Sequence, residues 1–360
     1  MRILFAIPTL KDGGAERVVS VWANELNAKG YDVSIMLFVK TKEDYPTDEG
    51  VKILAVTESQ EEYKALSNFR KYGIVRRMLG EIKPNYVVSF LPAMQVWVML
   101  GSLGMAFKRI ETIRINPWKI SITGKRGSSI WRLCYKTGYK ILLQASDQAP
   151  FFTPKEQEKC VLIPNPISEV YTDHYKTGIS ETPVEFIAVG RIVPYKNHKM
   201  MIKAFGEVCR DFPNIRLRIF GAGKPEYVEE IQEFIAQERL EKQVFLAGRT
   251  MHIEDEYQSS DVYLMTSSHE GLPNALMEAM ASRLICISTD CKTGIRDLIE
   301  DGVNGYLVPV GDEMALAQRI RLVLGMSKQE REQMAEAART RIMTYCSKEN
   351  SVEKLCELFE

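Results

Sequence analysis

No stretch of this 360-residue chain has the roughly 20 consecutive apolar residues that a membrane-spanning helix needs. The longest candidate, Val96–Phe107, is too short and carries Gly101, Ser102 and Gly104, all poor helix formers. Arg2 precedes only a five-residue apolar run, Ile3–Ile7, which Pro8 ends; this is no signal peptide, and the cytoplasm is the expected home. Cys-x-x-Cys is missing. The seven cysteines, at positions 134, 160, 209, 286, 291, 346 and 356, are scattered, and their odd number argues against a disulfide framework. The four histidines, at 174, 198, 252 and 269, show no metal-ligand spacing. Asp-x-Asp is also absent; since that pair commonly holds Mg²⁺ or Mn²⁺ against a diphosphate, metal-independent chemistry without a cofactor is expected. Pro8–Arg17 lacks the Gly-x-Gly-x-x-Gly that a nicotinamide dehydrogenase would need after its first strand. There is no short-period repeat and no low-complexity tract.

Net charge is lacking too, but only as a sum. Residues 1–170 hold 24 Lys+Arg and 17 Asp+Glu, whereas the remainder holds 23 and 30. The basic first half should meet something anionic, and the second half supplies its own acids. Hydrophobic residues make up 45%, enough for each half to bury a core. Strand and helix patterns alternate, which implies βαβ units and parallel sheets. Strands are expected at Arg2–Ile7, Asp32–Val39 and Tyr86–Phe90, then again at Glu185–Val189, Arg216–Phe220, Val244–Leu246, Val262–Met265, Leu284–Ser288 and Gly305–Val308. Helices are expected at Gly13–Lys29, His198–Asp211 and Glu226–Gln237. Pro164–Pro183, rich in Pro, Ser, Thr and Asp, reads as a connection. The expected division is an α/β domain at 1–168, a linker at 169–183, a second α/β domain at 184–346, and a terminal helix at 347–360 placed to pack back on the first.

What the chain does carry is concentrated in Ser267–Ser282. A strand-like run leads into Gly271, Leu272, Pro273 and Asn274, which open a helix. Free N–H groups and the helix dipole there suit an anion. Glu270 stands at the mouth of the turn and Glu278 about two helical turns inside, so both can face one ligand. Gly190-Arg191 ends another strand, and Lys196 follows five residues later: two cations on one loop, suited to a diphosphate, or else a solvated charge pair. Gly13-Gly14 before the first helix would admit close approach of a ligand, or would form an ordinary turn. Gly221-Ala222-Gly223 and the turn ending in Arg249 close two further strands in the same manner. His269 reads as a structural neighbour of Glu270. Lys108–Lys140 combines nine Lys or Arg and one acid with Trp118, Trp131, Tyr135 and Tyr139. An anionic membrane surface or a lipid diphosphate suits such a segment. No recognition motif accompanies it to point to nucleic acid, and a merely solvated basic face stays open.

Gly13-Gly14-Ala15-Glu16-Arg17, Gly190-Arg191 with Lys196, Glu270-Gly-Leu-Pro-Asn with Glu278, and the segment Gly294–Val308 together resemble the family-4 retaining glycosyltransferases, the group 1 type, over nearly the whole chain. The resemblance implies a GT-B fold: two Rossmann-like domains with parallel sheets facing across a cleft, donor on the C-terminal one and acceptor on the N-terminal one. It implies that Arg191 and Lys196 bind the diphosphate, that Glu270 lies near the donor sugar, and that Glu278 holds the ribose hydroxyls. Backbone at Gly271–Asn274 would touch sugar and phosphate, with Gly13, Gly14, Gly190, Gly221, Gly223 and Arg249 beside the donor. Where many members carry a histidine, Thr112-Ile-Arg-Ile-Asn-Pro117 is similar to the variant of bacterial surface-polysaccharide transferases, which puts Arg114 near the donor sugar. The expectation is a retaining transferase that moves a hexose or N-acetylhexosamine from a nucleotide diphosphate, UDP first, to a saccharide or lipid-linked saccharide. It would work at the inner membrane face, with Trp118, Lys125, Arg126, Trp131 and Arg132 serving acceptor and membrane. A catalytically silent donor-binding subunit is the alternative; it would have lost a phosphate cation or one of the two glutamates, and all four residues are present.

Overall fold

The computed structural model describes residues 1–11, 13–41, 44–119 and 124–360, with the side chains of 124–128 outside the description. It falls into two compact units, 1–166 with 351–360, and 167–350. In the first unit, chain order runs β1 (Arg2–Ile7), α1 (Gly14–Ala28), β2 (Asp32–Val39), β3 (Lys52–Thr57), α2 (Gln60–Ala65), α3 (Asn68–Ile82), β4 (Tyr86–Ser89), α4 (Pro92–Gly101), β5 (Lys108–Ile113), α5 (Gly124–Thr137), β6 (Lys140–Leu143), α6 (Pro154–Gln157) and β7 (Cys160–Leu162). The second unit runs α7 (Val170–Asp173), β8 (Glu185–Val189), α8 (His198–Cys209), β9 (Arg216–Phe220), α9 (Pro225–Gln237), β10 (Val244–Gly248), α10 (Ile253–Gln258), β11 (Val262–Met265), α11 (Asn274–Ala281), β12 (Ile285–Thr289), α12 (Ile295–Leu298), β13 (Tyr306–Val308), α13 (Glu313–Gly325) and α14 (Lys328–Tyr345). The final helix, α15 (Lys348–Glu357), carries the chain back to the first unit.

Each unit is built on one fully parallel sheet, ordered β3-β2-β1-β4-β5-β6-β7 in the first and β10-β9-β8-β11-β12-β13 in the second. Parallel strands need crossover helices, and those helices cover both faces, which explains the unbroken apolar runs of β1 and β2. In β1, Ile3, Phe5 and Ile7 face the core shared with α1 and residues 352–359, while Leu4 and Ala6 face the one shared with α3 and α4. Both sheets reverse direction once, at β1/β4 and at β8/β11. Open α/β sheets take their ligands beyond the carboxyl ends of the strands at such a switch point. Among the described residues no helix is long and apolar enough to cross a membrane.

The segment expected as a linker at 169–183 is instead fastened to the second unit. Ile167 and Tyr171 lie in its core. Arg339 donates to the Tyr171, Thr172 and Ala281 carbonyls, and Arg331 to those of Ser180 and Glu181. The local composition does describe a loop. What pins it are side chains far along the chain, which composition cannot register.

In the first unit, β5 places Glu111 in full burial beside Ser89, with Arg109 Nη1 at 3.0 Å. Burial pushes its carboxyl up to about 7, against the pull of Arg109 and Ser89. A raised folded pKa means stability that is complete below the ordinary glutamate value and lost as pH rises through about 7. Between pH 5 and 8 this single group should remove about 3 kcal/mol from the first unit. Glu111→Gln should flatten that slope in chemical denaturation curves; an unchanged slope would show that Glu111 is ionised throughout.

Candidate functional site

In the second unit, β8 and β11 flank the switch point, and the turns that leave them carry the residues singled out above. β8 ends at Gly190, whose φ of 152° suits glycine. The Lys196 side chain folds over it: a Cβ at Gly190 would lie 3.3 Å from Lys196 Cε and Nζ. Lys196 Nζ donates to Glu270 Oε1 at 2.7 Å, with both side chains largely buried. Arg191 is exposed and makes no ion pair among the described residues; its Nη2 donates to the Tyr195 hydroxyl at 2.8 Å. Among the described residues this loop therefore holds one cation outside any ion pair, Arg191, and one already paired with a carboxylate, Lys196.

Three contacts fix the two turns to each other. The Ser268 amide donates to the Tyr195 carbonyl at 2.8 Å. The Tyr195 ring lies against His269, with centroids 4.7 Å apart. Thr266 Oγ1 donates to the Lys196 and Asn197 carbonyls at 2.9 and 3.0 Å. Asn197 takes the left-handed conformation that turns the chain into α8. Behind it His198 is buried, and burial, with Lys196 beside it, holds its imidazole at about 4. It is therefore neutral near pH 7 and adds no charge to the site.

A third loop supports Glu270 from below. Thr293 Oγ1 donates to the Glu270 carbonyl. Thr293 has a φ of 81°, a conformation that β-branched residues rarely adopt. Next to it, a Cβ on Gly294 would stand 2.8 Å from the Gly271 carbonyl oxygen. Leu272 and Pro273 are buried, and α11 begins at Asn274 with no side-chain cap on its N-terminus. Glu278, on the second turn of α11, is 8% exposed, and the Tyr257 hydroxyl reaches its Oε2 at 3.5 Å. Tyr195, Ser268 and Thr293 were not singled out from the sequence. Tyr195 had a local signal, an aromatic between the two cations of one loop. Thr293 had none, because its role depends on a fold that returns it to Glu270.

Gly221 and Gly223 have a cause within the protein. A Cβ on Gly221 would fall 1.8 Å from the Gly190 carbonyl oxygen, and one on Gly223 2.2 Å from that of Ile192. These glycines let the β9 turn press against the β8 turn, so they shape the Arg191 loop. Arg249 is exposed and follows β10, the edge strand, with β9 between it and β8.

In the first unit, Gly13 caps α1 in extended conformation, and the Glu16 carboxylate folds back against it. Gly14 starts that helix. Arg114 follows β5 at the carboxyl edge of the sheet and is 9% exposed. Its Nη1 donates to Asn165 Oδ1 at 2.7 Å, and its guanidinium lies over Trp22 and Phe90 at 4.7 and 5.2 Å. Burial lowers its pKa to about 9, so it keeps its charge near pH 7. Trp118 is part-exposed, its ring edge-on to Phe151. Lys125 and Arg126 lie on α5, with side chains outside the described residues. Trp131 does not lie on the expected membrane surface, whereas Arg132 is part-exposed. Trp131 is 3% exposed and donates to Gln95 Oε1 at 2.6 Å. Arg132 pairs with Glu156 at 2.9 Å and stacks on Phe151. Helical phase is the reason: 131, 134 and 135 point inward, while Ile130 and Leu133 point out.

Residues 171–341 match the family model "Glycosyl transferases group 1". A Campylobacter jejuni alpha-1,4-N-acetyl-D-galactosaminyltransferase, named for the acceptor GalNAc-alpha-(1->4)-GalNAc-alpha-(1->3)-diNAcBac-PP-undecaprenol, is 29% identical over 90% of this chain and 89% of its own length. The amylovoran biosynthesis glycosyltransferase AmsD of Erwinia amylovora is 26% identical over 91% and 90%. Among solved structures, Anabaena HepE in complex with UDP superposes with a TM-score of 0.80 at 17% identity, covering 99% of both chains. The chain is a glycosyltransferase with the GT-B fold, and its residues 171–341 are similar to the group 1 family.

Proposed function

We propose that this transferase is retaining, and that it moves a hexose or N-acetylhexosamine from a UDP-sugar to a hydroxyl of a lipid-linked saccharide in bacterial cell-surface glycan synthesis. The observation that carries the reading is the meeting of Arg191, Lys196 and Glu270 at the β8/β11 switch point. The names of the relatives favour a surface polysaccharide and an N-acetylhexosamine, and the UDP complex of a fold neighbour favours uridine. Arg191 and Lys196 hold the diphosphate, with the amides that begin α11 beside it. Glu278, deep in α11, takes the ribose hydroxyls. Glu270 positions the sugar. The C1–phosphate oxygen bond breaks as the acceptor oxygen bonds to C1 on the same face, and the acceptor proton passes to the leaving diphosphate. The protein contributes fixed charge and exclusion of water rather than a general base. Arg114, kept charged over the Trp22 and Phe90 rings, is assigned to the donor sugar, and Trp118 to the acceptor. The enzyme acts from the cytoplasm on the inner membrane face.

Metal ions have no part in this scheme, because two protein cations take the diphosphate. Activity should survive EDTA, and loss that Mn²⁺ restores would overturn the point. The donor is tested by thermal shift against a panel of nucleotide sugars. A ligand at about 100 times its Kd adds about 2.7 kcal/mol to stability, a rise of several degrees for a unit this size. UDP-sugars should give the largest shift. A larger shift with GDP- or dTDP-sugars would replace the nucleotide, and none with any donor would favour a silent subunit.

A further inference from the structure

We infer that Ser351, on the terminal helix α15, is a positioning residue for the donor sugar: it fixes the Trp22 ring and the Pro164–Asn165 turn, the two supports of the Arg114 guanidinium. The inference rests on the assignment of Arg114 to the donor sugar made above. Arg114 Nη1 donates to Asn165 Oδ1 at 2.7 Å, whereas Nε and Nη2 are buried with no hydrogen-bond partner among the described residues. Buried donors left unsatisfied are costly, and an oxygen of the bound sugar would supply the partner they lack. Those nitrogens meet a ligand in one geometry only if the guanidinium keeps its plane and its rotation. The Trp22 and Phe90 rings, at 4.7 and 5.2 Å, set the plane. Asn165 sets the rotation within it.

Ser351 grips both supports. It is buried, its hydroxyl accepts from Trp22 Nε1 at 2.9 Å, and it donates to the Pro164 carbonyl at 3.2 Å. A hydroxyl does both at once because it is donor and acceptor. The Trp22 indole N–H, buried with its ring, needs that acceptor, and the bond holds the ring where Arg114 lies over it. The Pro164 carbonyl belongs to the peptide plane that leads into Asn165. Pro164 has a fixed φ, and Pro166 restricts the residue before it to extended conformations. With the carbonyl tied, little freedom is left in the backbone from which the Asn165 side chain projects. The contacts thus close a ring: Ser351 to Trp22, Trp22 to Arg114, Arg114 to Asn165, and Pro164 back to Ser351. Every member lies in the first unit, and α15 is anchored there by Val352 and Leu355 in the core. A serine that only satisfied two buried groups would affect stability and leave the sugar alone.

The test is calorimetric titration of the full chain with UDP-N-acetylgalactosamine, UDP-glucose and UDP, together with NMR of the Arg114 Nε–H group in arginine-labelled protein. Ser351→Ala should broaden that signal and speed its exchange with water. Arg114→Ala should weaken at least one UDP-sugar about tenfold, and Ser351→Ala should weaken the same one about fivefold. UDP, which lacks the sugar, should bind all variants alike. Added to Arg114→Ala, Ser351→Ala should weaken the UDP-sugar no further, since it acts through the side chain already removed. Ser351→Cys fills the same space with a weaker hydrogen-bonding group, so it should fold even if the alanine variant does not, and should lie between wild type and alanine. Leu358→Ala, from the same core, should lower the thermal midpoint and leave UDP-sugar affinity unchanged. If Arg114→Ala weakens a UDP-sugar but Ser351→Ala and Ser351→Cys leave both the Arg114 signal and that affinity unchanged, the inference falls alone. Additive losses in the double variant, or an equal loss in Leu358→Ala, would make Ser351 merely structural. If Arg114→Ala binds both UDP-sugars as wild type does, the donor-sugar assignment falls and takes the positioning role with it.

Discussion

Replacing Lys196 by alanine should lower sugar transfer by about 10²–10³-fold, the loss that follows when one preorganised charge is removed from a developing anion. Arg191→Ala should act in the same range. Glu270→Gln should split two properties that usually move together: turnover falls, but bare UDP binds more tightly. The cause is the ion pair at 2.7 Å. Lys196 already has a carboxylate partner, so an arriving diphosphate must take it from Glu270. Removing the carboxylate charge ends that competition, and a gain of about 1 kcal/mol, near fivefold in Kd, is reasonable for a pair with partial access to water. Lys196→Ala should weaken UDP, since it removes the cation and leaves Glu270 without its partner. Calorimetric titration with UDP and initial rates with the best donor measure both quantities. Turnover within threefold of wild type in Lys196→Ala and Arg191→Ala, or UDP binding no tighter in Glu270→Gln, would refute this account of the site.

Asp261→Ala should be among the most destabilising single changes in the second unit, at about 3–5 kcal/mol. Asp261 stands at the amino end of β11 and is nearly buried. It accepts from Lys176 Nζ at 2.6 Å, from Ser180 Oγ, and from the Val184 and Glu185 amides at 2.9 and 3.1 Å. Alanine would strand a lysine and two backbone donors with little access to water. Burial pushes this carboxyl up, but Lys176, Ser180 and the two amides outweigh it, and its pKa lies below the ordinary aspartate value. A depressed folded pKa gives stability that is present above the unfolded value, about 4, and lost as pH falls through the folded one. Wild type should thus lose this contribution only in acid, whereas Asp261→Ala lacks it at every pH. Thermal midpoints at pH 7 should differ by about 10 °C, and a shift of only a degree or two would show that the strap at 167–183 is held elsewhere.

The sequence was most legible where chemistry is local. Gly190-Arg191 and Glu270–Asn274 each lie within one turn, next to strands whose apolar runs declare both faces buried. The parallel order of both sheets followed from alternation alone. It failed where meaning depends on direction or distance. The aromatic and basic richness of 108–140 counted Trp131 as surface, although the spacing 131, 134, 135 marks an inward stripe. The segment 169–183 looked like a free connection because Asp261, Arg331 and Arg339 lie far along the chain. Thr293 could be found only from the fold.

Residues 351–360 complete the first unit. Val352, Leu355, Leu358 and Phe359 fill its core, Trp22 Nε1 donates to Ser351 Oγ at 2.9 Å, and the Tyr86 hydroxyl donates to the Phe359 carbonyl at 3.2 Å. A ribosome therefore releases this protein in an order that its architecture does not follow. Everything from 167 to 350 is synthesised before the first unit can close over Trp22 and Tyr86. Until then, the nascent first unit displays an apolar face where α15 will dock, and the second unit, whose residues are contiguous, is free to finish first. Folding of this chain should thus invert the usual sequence in which the N-terminal domain matures before the next one. A chaperone that shields apolar surface on nascent chains would have its longest task at the beginning of this polypeptide rather than at its end.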